Sequence, residues 1–150
     1  MTGVEVPLHR LAHARTGDKG NRCNIALICR DPRFYATIAE QVTAERVTAH
    51  FAARRPGKVA RYELPRLFAF NFVLDDVLDG GVNASLGLDG HGKALSFFLL
   101  TAEITVEPAL LARMPASACS GEVGAGSPIR TCAAEGQPEP LHEFENETGG

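Results

Sequence analysis

No apolar run in this sequence approaches the about 18 residues that a membrane-spanning helix needs. Residues 1–13 carry Glu5 and Pro7 and have no unbroken apolar core, so no secretory signal is expected. No CxxC pair occurs among Cys23, Cys29, Cys119 and Cys132, and no Cys/His cluster has zinc-site spacing. The GxxxxGK[ST] and GxGxxG phosphate loops are absent, and Ser85 sits in Asn-Ala-Ser-Leu-Gly rather than in a GxSxG elbow. These absences set aside a membrane protein, a zinc domain, a nucleotide-loop enzyme and a serine hydrolase. No metal and no cofactor is expected. The thiols are read as reduced, in a cytoplasmic protein. A Cys119–Cys132 disulfide stays open as the alternative.

What is present is 150 residues, 45% of them hydrophobic, with a net charge of -3 that describes no part of the chain. Residues 1–66 carry +6, residues 67–106 carry -4 and residues 107–150 carry -5. The +6 segment has no aromatic-stacking motif beside it, so nucleic acid is not the expected partner. The last 44 residues hold 5 Pro, 6 Gly and one aromatic. That composition offers little apolar surface to offset chain ordering. The expected organisation is therefore a folded domain over 1–106 and an acidic, disordered Pro/Gly-rich tail over 107–150. A short helix at Pro108–Arg113 is the exception, because proline suits a first helical position.

Periodicity supplies the elements. Val4, Val6, Leu8, Ala12 and Ala14 alternate with polar residues and predict one strand, broken by Gly17-Asp18-Lys19-Gly20-Asn21. Ile25–Cys29 predicts a well-buried strand. Asp31-Pro32 starts a helix with Phe34, Ile38 and Val42 on one face. Thr43 caps another, with Val47 and Phe51 inside. Val59–Leu64 predicts a strand closed by Pro65. Leu67, Phe70, Leu74, Val77 and Leu78 predict a helix in which Asn71 interrupts the stripe. Ala84–Leu88 and Ala94–Val106 predict an antiparallel pair turning at Asp89-Gly90-His91-Gly92. The fold class is α+β: a mainly antiparallel sheet of four or five strands with two helices on one face.

Chemistry is concentrated in His13-Ala14-Arg15-Thr16-Gly17-Asp18-Lys19-Gly20-Asn21-Arg22. Two glycines permit a tight loop with converging N–H groups. Arg15, Lys19 and Arg22 add three cations, and Thr16 and Asn21 add a hydroxyl and an amide. The expectation is an anion cradle for phosphate or carboxylate, with Arg15, Thr16, Gly17, Asp18, Lys19, Gly20 and Asn21 as ligand-binding residues. A polar turn between two strands would read much the same. Asp18, Lys19 and His13 are the catalytic candidates, since an Asp near a His suits general acid/base work. His91 reads as a solvated turn residue, and His50 and His142 carry no case.

The order of blocks resembles one family. Leu11-Ala12-His13-Ala14-Arg15-Thr16-Gly17-Asp18-Lys19-Gly20-Asn21 precedes Asn24-Ile25, Thr43-Ala44-Glu45-Arg46-Val47 and Ala49-His50-Phe51. Arg61-Tyr62-Glu63-Leu64-Pro65, Asn71-Phe72-Val73-Leu74 and Gly80-Gly81-Val82 follow. Leu88-Asp89 and Gly90-His91-Gly92-Lys93-Ala94-Leu95 close the set. Over residues 4–106 the chain resembles the AtuA-like small domain, named for an acyclic terpene utilisation protein. The resemblance implies a ferredoxin-like fold. It also implies work beside a large AtuA-type protein, as an accessory domain or small subunit, in catabolism of acyclic terpenoid or related acyl-CoA compounds. On that reading the Gly-Asp-Lys-Gly-Asn block binds an anionic acyl or CoA group. Thr16 stands where the family usually has Ser, which keeps a hydroxyl and disfavours a nucleophile. The alternatives are a stand-alone hydratase or hydrolase using Asp18, Lys19 and His13, or a structural oligomerisation module. Exposed strand edges admit a homo-oligomer.

Overall fold

Alternation along residues 12–29 builds the centre of the molecule. In the computed structural model, which describes residues 3–112, β2 (Ala12–Lys19) and β3 (Arg22–Cys29) form a hairpin. Its register runs from Ala12 opposite Cys29 to Lys19 opposite Arg22. β3 also pairs with β5 (Ala69–Leu74), and β5 with β4 (Val59–Leu64). The resulting antiparallel sheet has the order β2-β3-β5-β4. A separate two-stranded ribbon joins β1 (Val4–Pro7) to β6 (Glu103–Val106). The fold is α+β, as expected.

The sheet has one apolar face. Cys23, Ile25 and Leu27 of β3 are fully buried beside Phe70, Phe72 and Leu74 of β5. Helices cover this side. Asp31 caps the first turn by accepting from Arg33 N–H at 2.9 Å, leading into α1 (Tyr35–Gln41). Thr43 caps α2 (Ala44–His50) through Arg46 N–H at 3.2 Å. Phe34, Ile38, Val42, Val47 and Phe51 go into the core, as their spacing requires. Arg61 of β4 donates from Nη1 to Val42 O at 3.1 Å, fastening the sheet to these helices. The opposite face is open: Ile28, Tyr62 and Leu64 are all exposed.

Four expectations are corrected. The single first strand is two strands in different sheets, separated by a 3₁₀ turn at Leu8–Arg10. Leu8 and Leu11 both enter the core, a spacing of three that an extended chain would not provide. β3 is buried on one face only, since Ile28 is exposed. Residues 69–74 are a central strand, not a helix: Phe70, Phe72 and Leu74 point inward at period two. Residues 84–106 form no hairpin. Leu95–Leu100 is a helix, α3, with Leu95, Ser96 and Leu99 buried, and only Glu103–Val106 is strand. Leu95 to Leu100 is almost continuously apolar, so periodicity alone could not distinguish the two.

The described residues close with α4 (Pro108–Leu111), a short proline-started helix within the expected Pro108–Arg113. The remainder of the acidic tail, with Cys119, Cys132 and His142, lies outside the described residues. The charged segments meet in space. Asp75 pairs with Arg22, and Asp79 with Arg54 at 3.0 Å, so the acidic middle of the sequence neutralises part of the basic first half.

Cys23 and Cys29 are buried free thiols on β3, and burial pushes both up to about 11. Both are expected to resist iodoacetamide in the native protein at neutral pH and to react after denaturation. Peptide mapping by mass spectrometry reads each site, and rapid native labelling of either would contradict its burial.

Candidate functional site

The Gly-Asp-Lys-Gly-Asn block, read as a tight glycine loop, is a turn over only part of its length. Gly17, Asp18 and Lys19 belong to β2, and only Gly20 and Asn21 make the turn. Gly20 has φ +59°, the left-handed value that a two-residue hairpin turn of this type demands at its first position. Asn21 is the structural key. Its Oδ1 accepts from Leu78 N–H at 3.0 Å and Gly80 N–H at 3.3 Å, and its Nδ2 donates to Asp76 at 3.1 Å. Its carbonyl accepts from Val77 N–H, and that of Gly20 from Val82 N–H. The turn therefore stitches residues 76–82 to the hairpin.

That stitching carries the following segment back to β2. Asp89 accepts from the backbone N–H groups of Lys93 and Ala94 at 2.8 and 2.7 Å, just before α3. Thr16 and Ser96 both donate hydroxyls to Lys93 O, at 3.4 and 3.1 Å. With its main chain held from three sides, Lys93 places Nζ 2.7 Å from Asp18 Oδ1. His91 Nδ1 lies 3.2 Å from Asp18 Oδ2. The hydrogen bond from Lys93, then that from His91, hold the Asp18 carboxyl below its usual range. It is therefore ionised at neutral pH. Its stabilising contribution is present above the ordinary value of 3.8 and is lost as pH falls through the lowered one. An ionised carboxylate only accepts, so His91 donates from Nδ1, leaving Nε2 as the available acceptor when the ring is neutral.

The expected catalytic group is not assembled. His13 is exposed on the open sheet face, with Nε2 3.4 Å from Arg30 Nη1, whereas Asp18 lies on the helix-covered side. Lys19 turns its Nζ to the Asp18 carbonyl at 3.1 Å rather than to the carboxylate. Gly17 lies opposite Asn24, whose amide donates to Asn71 at 3.2 Å, so Asn71 finds its partner on the open face. The residues that sequence reasoning missed are His91, Lys93, Asp89 and Ser96. The visible signal was the compact Gly90-His91-Gly92-Lys93 block; its link to Asp18 spans more than 70 residues.

The cations are also redistributed. Arg22 is committed to Asp75, and the recess at the hairpin tip is lined by Asp75 and Asp76 together with Lys19, which suits an anion poorly. A second recess runs between β2 and α3, lined by Ala14, Arg15, Thr16, Lys93, Ser96 and Phe97. Arg15 has no ion-pair partner among the described residues, and Phe97 is 70% exposed. Arg15, Lys93 and the exposed Phe97 therefore line a shallow, open groove, in which Lys93 is already paired with Asp18 and Arg15 brings the unpaired charge. Among the described residues no group of three or more His, Cys, Asp or Glu is placed to hold a metal ion. No helix among them is long and apolar enough to cross a membrane.

The family model of the AtuA ferredoxin-like domain matches residues 6–105. No curated protein and no solved structure matches the chain.

Proposed function

The chain belongs to the AtuA ferredoxin-like domain family, and from that premise we propose that it is the small partner of a large AtuA-type protein. In this reading the groove between β2 and α3 receives the anionic end of an acyl substrate, a carboxylate or the phosphates of a CoA thioester. An acyclic terpenoid acyl compound is the class that the family association suggests. Arg15 supplies the unpaired charge, and Thr16 and Ser96 keep Lys93 in place against Asp18. His91, oriented by Asp18, is the group suited to move a proton at Nε2.

The observation that carries this reading is the meeting of Asp18, His91 and Lys93 from two glycine-rich segments far apart in sequence. The openness of the groove supports a partner. Small-molecule sites bury most of their ligand, and a surface groove with Phe97 exposed needs another wall to do so.

Co-expression with a large AtuA-type protein should yield a co-eluting pair. Thermal shifts with acetyl-CoA, inorganic phosphate and short carboxylates should rise with concentration. Arg15→Ala is expected to weaken binding about tenfold or more, the loss of one charge-assisted hydrogen bond, without lowering the melting temperature of the free protein. Failure of the separately expressed pair to associate at micromolar concentration would sink the partner reading.

A further inference from the structure

We infer that the chain pairs with a second copy of itself through the free edge of β4, forming one continuous sheet centred on Tyr62.

The two outer strands of the main sheet are not equivalent. β2 is flanked by α3, and its Ala12 and Thr16 are buried. β4 has no buried residue along its six positions, and Glu63 and Leu64 stand exposed with Tyr62. Its register with β5 is unbroken from Val59 to Leu64, so no bulge twists the edge away. It contains no proline or lysine, and its two inward charges, Arg61 and Glu63, are paired with each other. An unbulged, six-residue edge of this kind presents unpaired backbone groups to an incoming strand.

The side-chain pattern selects the occupant and the register. Arg61 and Glu63 lie on the helix-covered face, and Ala60, Tyr62 and Leu64 on the open face. For two copies whose helices lie on the same side, a twofold axis must pass through a residue position, so that like faces meet. An axis at Arg61 would set Arg61 against its own copy, and an axis at Glu63 would oppose two carboxylates. An axis at Tyr62 sets each Arg61 opposite a Glu63 and stacks the two tyrosines as a cross-strand aromatic pair. It also sets Ala60 against Leu64, extending the apolar row of the open face. Arg61 and Glu63 already touch within one copy, Nη2 to Oε1 at 2.6 Å. The axis at Tyr62 joins the two pairs into an alternating ring of four charges. The segment Ala60-Arg61-Tyr62-Glu63-Leu64 is thus self-complementary when reversed, which a strand adapted to a different partner has no need to be.

Sedimentation of the full chain at micromolar concentration should show a dimer. Tyr62→Lys places two ammonium groups on the axis and should weaken association at least tenfold while leaving the melting temperature of the monomer unchanged, because the side chain is exposed. A cross-link tests the register. In a Cys119→Ser, Cys132→Ser background, Tyr62→Cys should oxidise to a disulfide-linked dimer, whereas Ala60→Cys should not, since its own copy lies four positions away. A monomer at all concentrations overturns the inference. So does a dimer indifferent to Tyr62→Lys, or one that links equally well at position 60. A monomeric chain whose Tyr62→Lys variant loses a large AtuA-type partner would assign the edge to that partner instead. Loss of that partner with the dimer intact would leave this inference standing and remove only the functional reading.

Discussion

Phe72→Ala is expected to remove about 3–5 kcal/mol of folding stability, the range for truncating a fully buried aromatic ring. Phe72 is completely inaccessible, opposite Ile25 on β3 and Arg61 on β4. A domain of this size has about 5–15 kcal/mol in total, so the variant should unfold at much lower urea. Val73, the next residue, points to the half-buried open face. Val73→Ala should therefore cost about 1 kcal/mol or less, the span of strand preferences at such positions. Urea titration of both variants reads the contrast directly. Equal costs would contradict the alternation that makes residues 69–74 a strand.

The second large effect is at Gly92, between the two residues that meet Asp18. Gly92 has φ +65°, and a Cβ built there would lie 2.6 Å from Leu78 Cδ2 and 3.0 Å from Leu95 Cδ1. A β-branched residue is a severe outlier at that φ. Backbone strain and overpacking each cost about 1–3 kcal/mol. Gly92→Val is therefore expected to lose about 2–6 kcal/mol and to draw His91 and Lys93 away from Asp18. Gly90, two residues earlier, is the control. Its Cβ would come no closer than 3.7 Å to any neighbour, so Gly90→Ala should stay within about 0.5 kcal/mol. Thermal melts measure the first effect. The imidazole NMR signals of His91 report the second, because loss of the Asp18 carboxylate as acceptor removes the preference for an Nδ1 proton. A Gly92→Val protein with wild-type stability and unchanged imidazole signals would show that the loop is not held as described.

The contrast between these two positions shows where sequence reading works. Asp31 and Thr43 were legible as caps because a cap is a contact over two or three residues. Val59–Leu64 was legible because Pro65 stops it. Residues 67–78 were not. Leu67, Phe70 and Leu74 satisfy a helical stripe, while Phe70, Phe72 and Leu74 satisfy a strand, and both sets come from the same letters. The choice was made by β3 and β4, which offer hydrogen bonds on either side of β5. Leu95–Leu100 was ambiguous for a similar reason. There the Asp89 carboxylate, by taking the N–H groups of Lys93 and Ala94, favours a helical turn over an extended chain.

The candidate site divides in the same way. The α+β class, the helix caps, the segmental charge and the Gly-Asp-Lys-Gly-Asn block with its family resemblance were legible from the amino acids alone. Each is carried by residues near one another in the chain, or by composition. What Asp18 touches was set by long-range packing. That packing turned His13 to the other face of the sheet, committed Arg22 to Asp75, and brought His91 and Lys93 to the carboxylate. Those contacts span 73 and 75 residues. They follow from how Gly20 and Asn21 bind the 76–82 segment and how Thr16 and Ser96 bind Lys93. Local periodicity contains no term for either, so the site became visible only when the chain was folded.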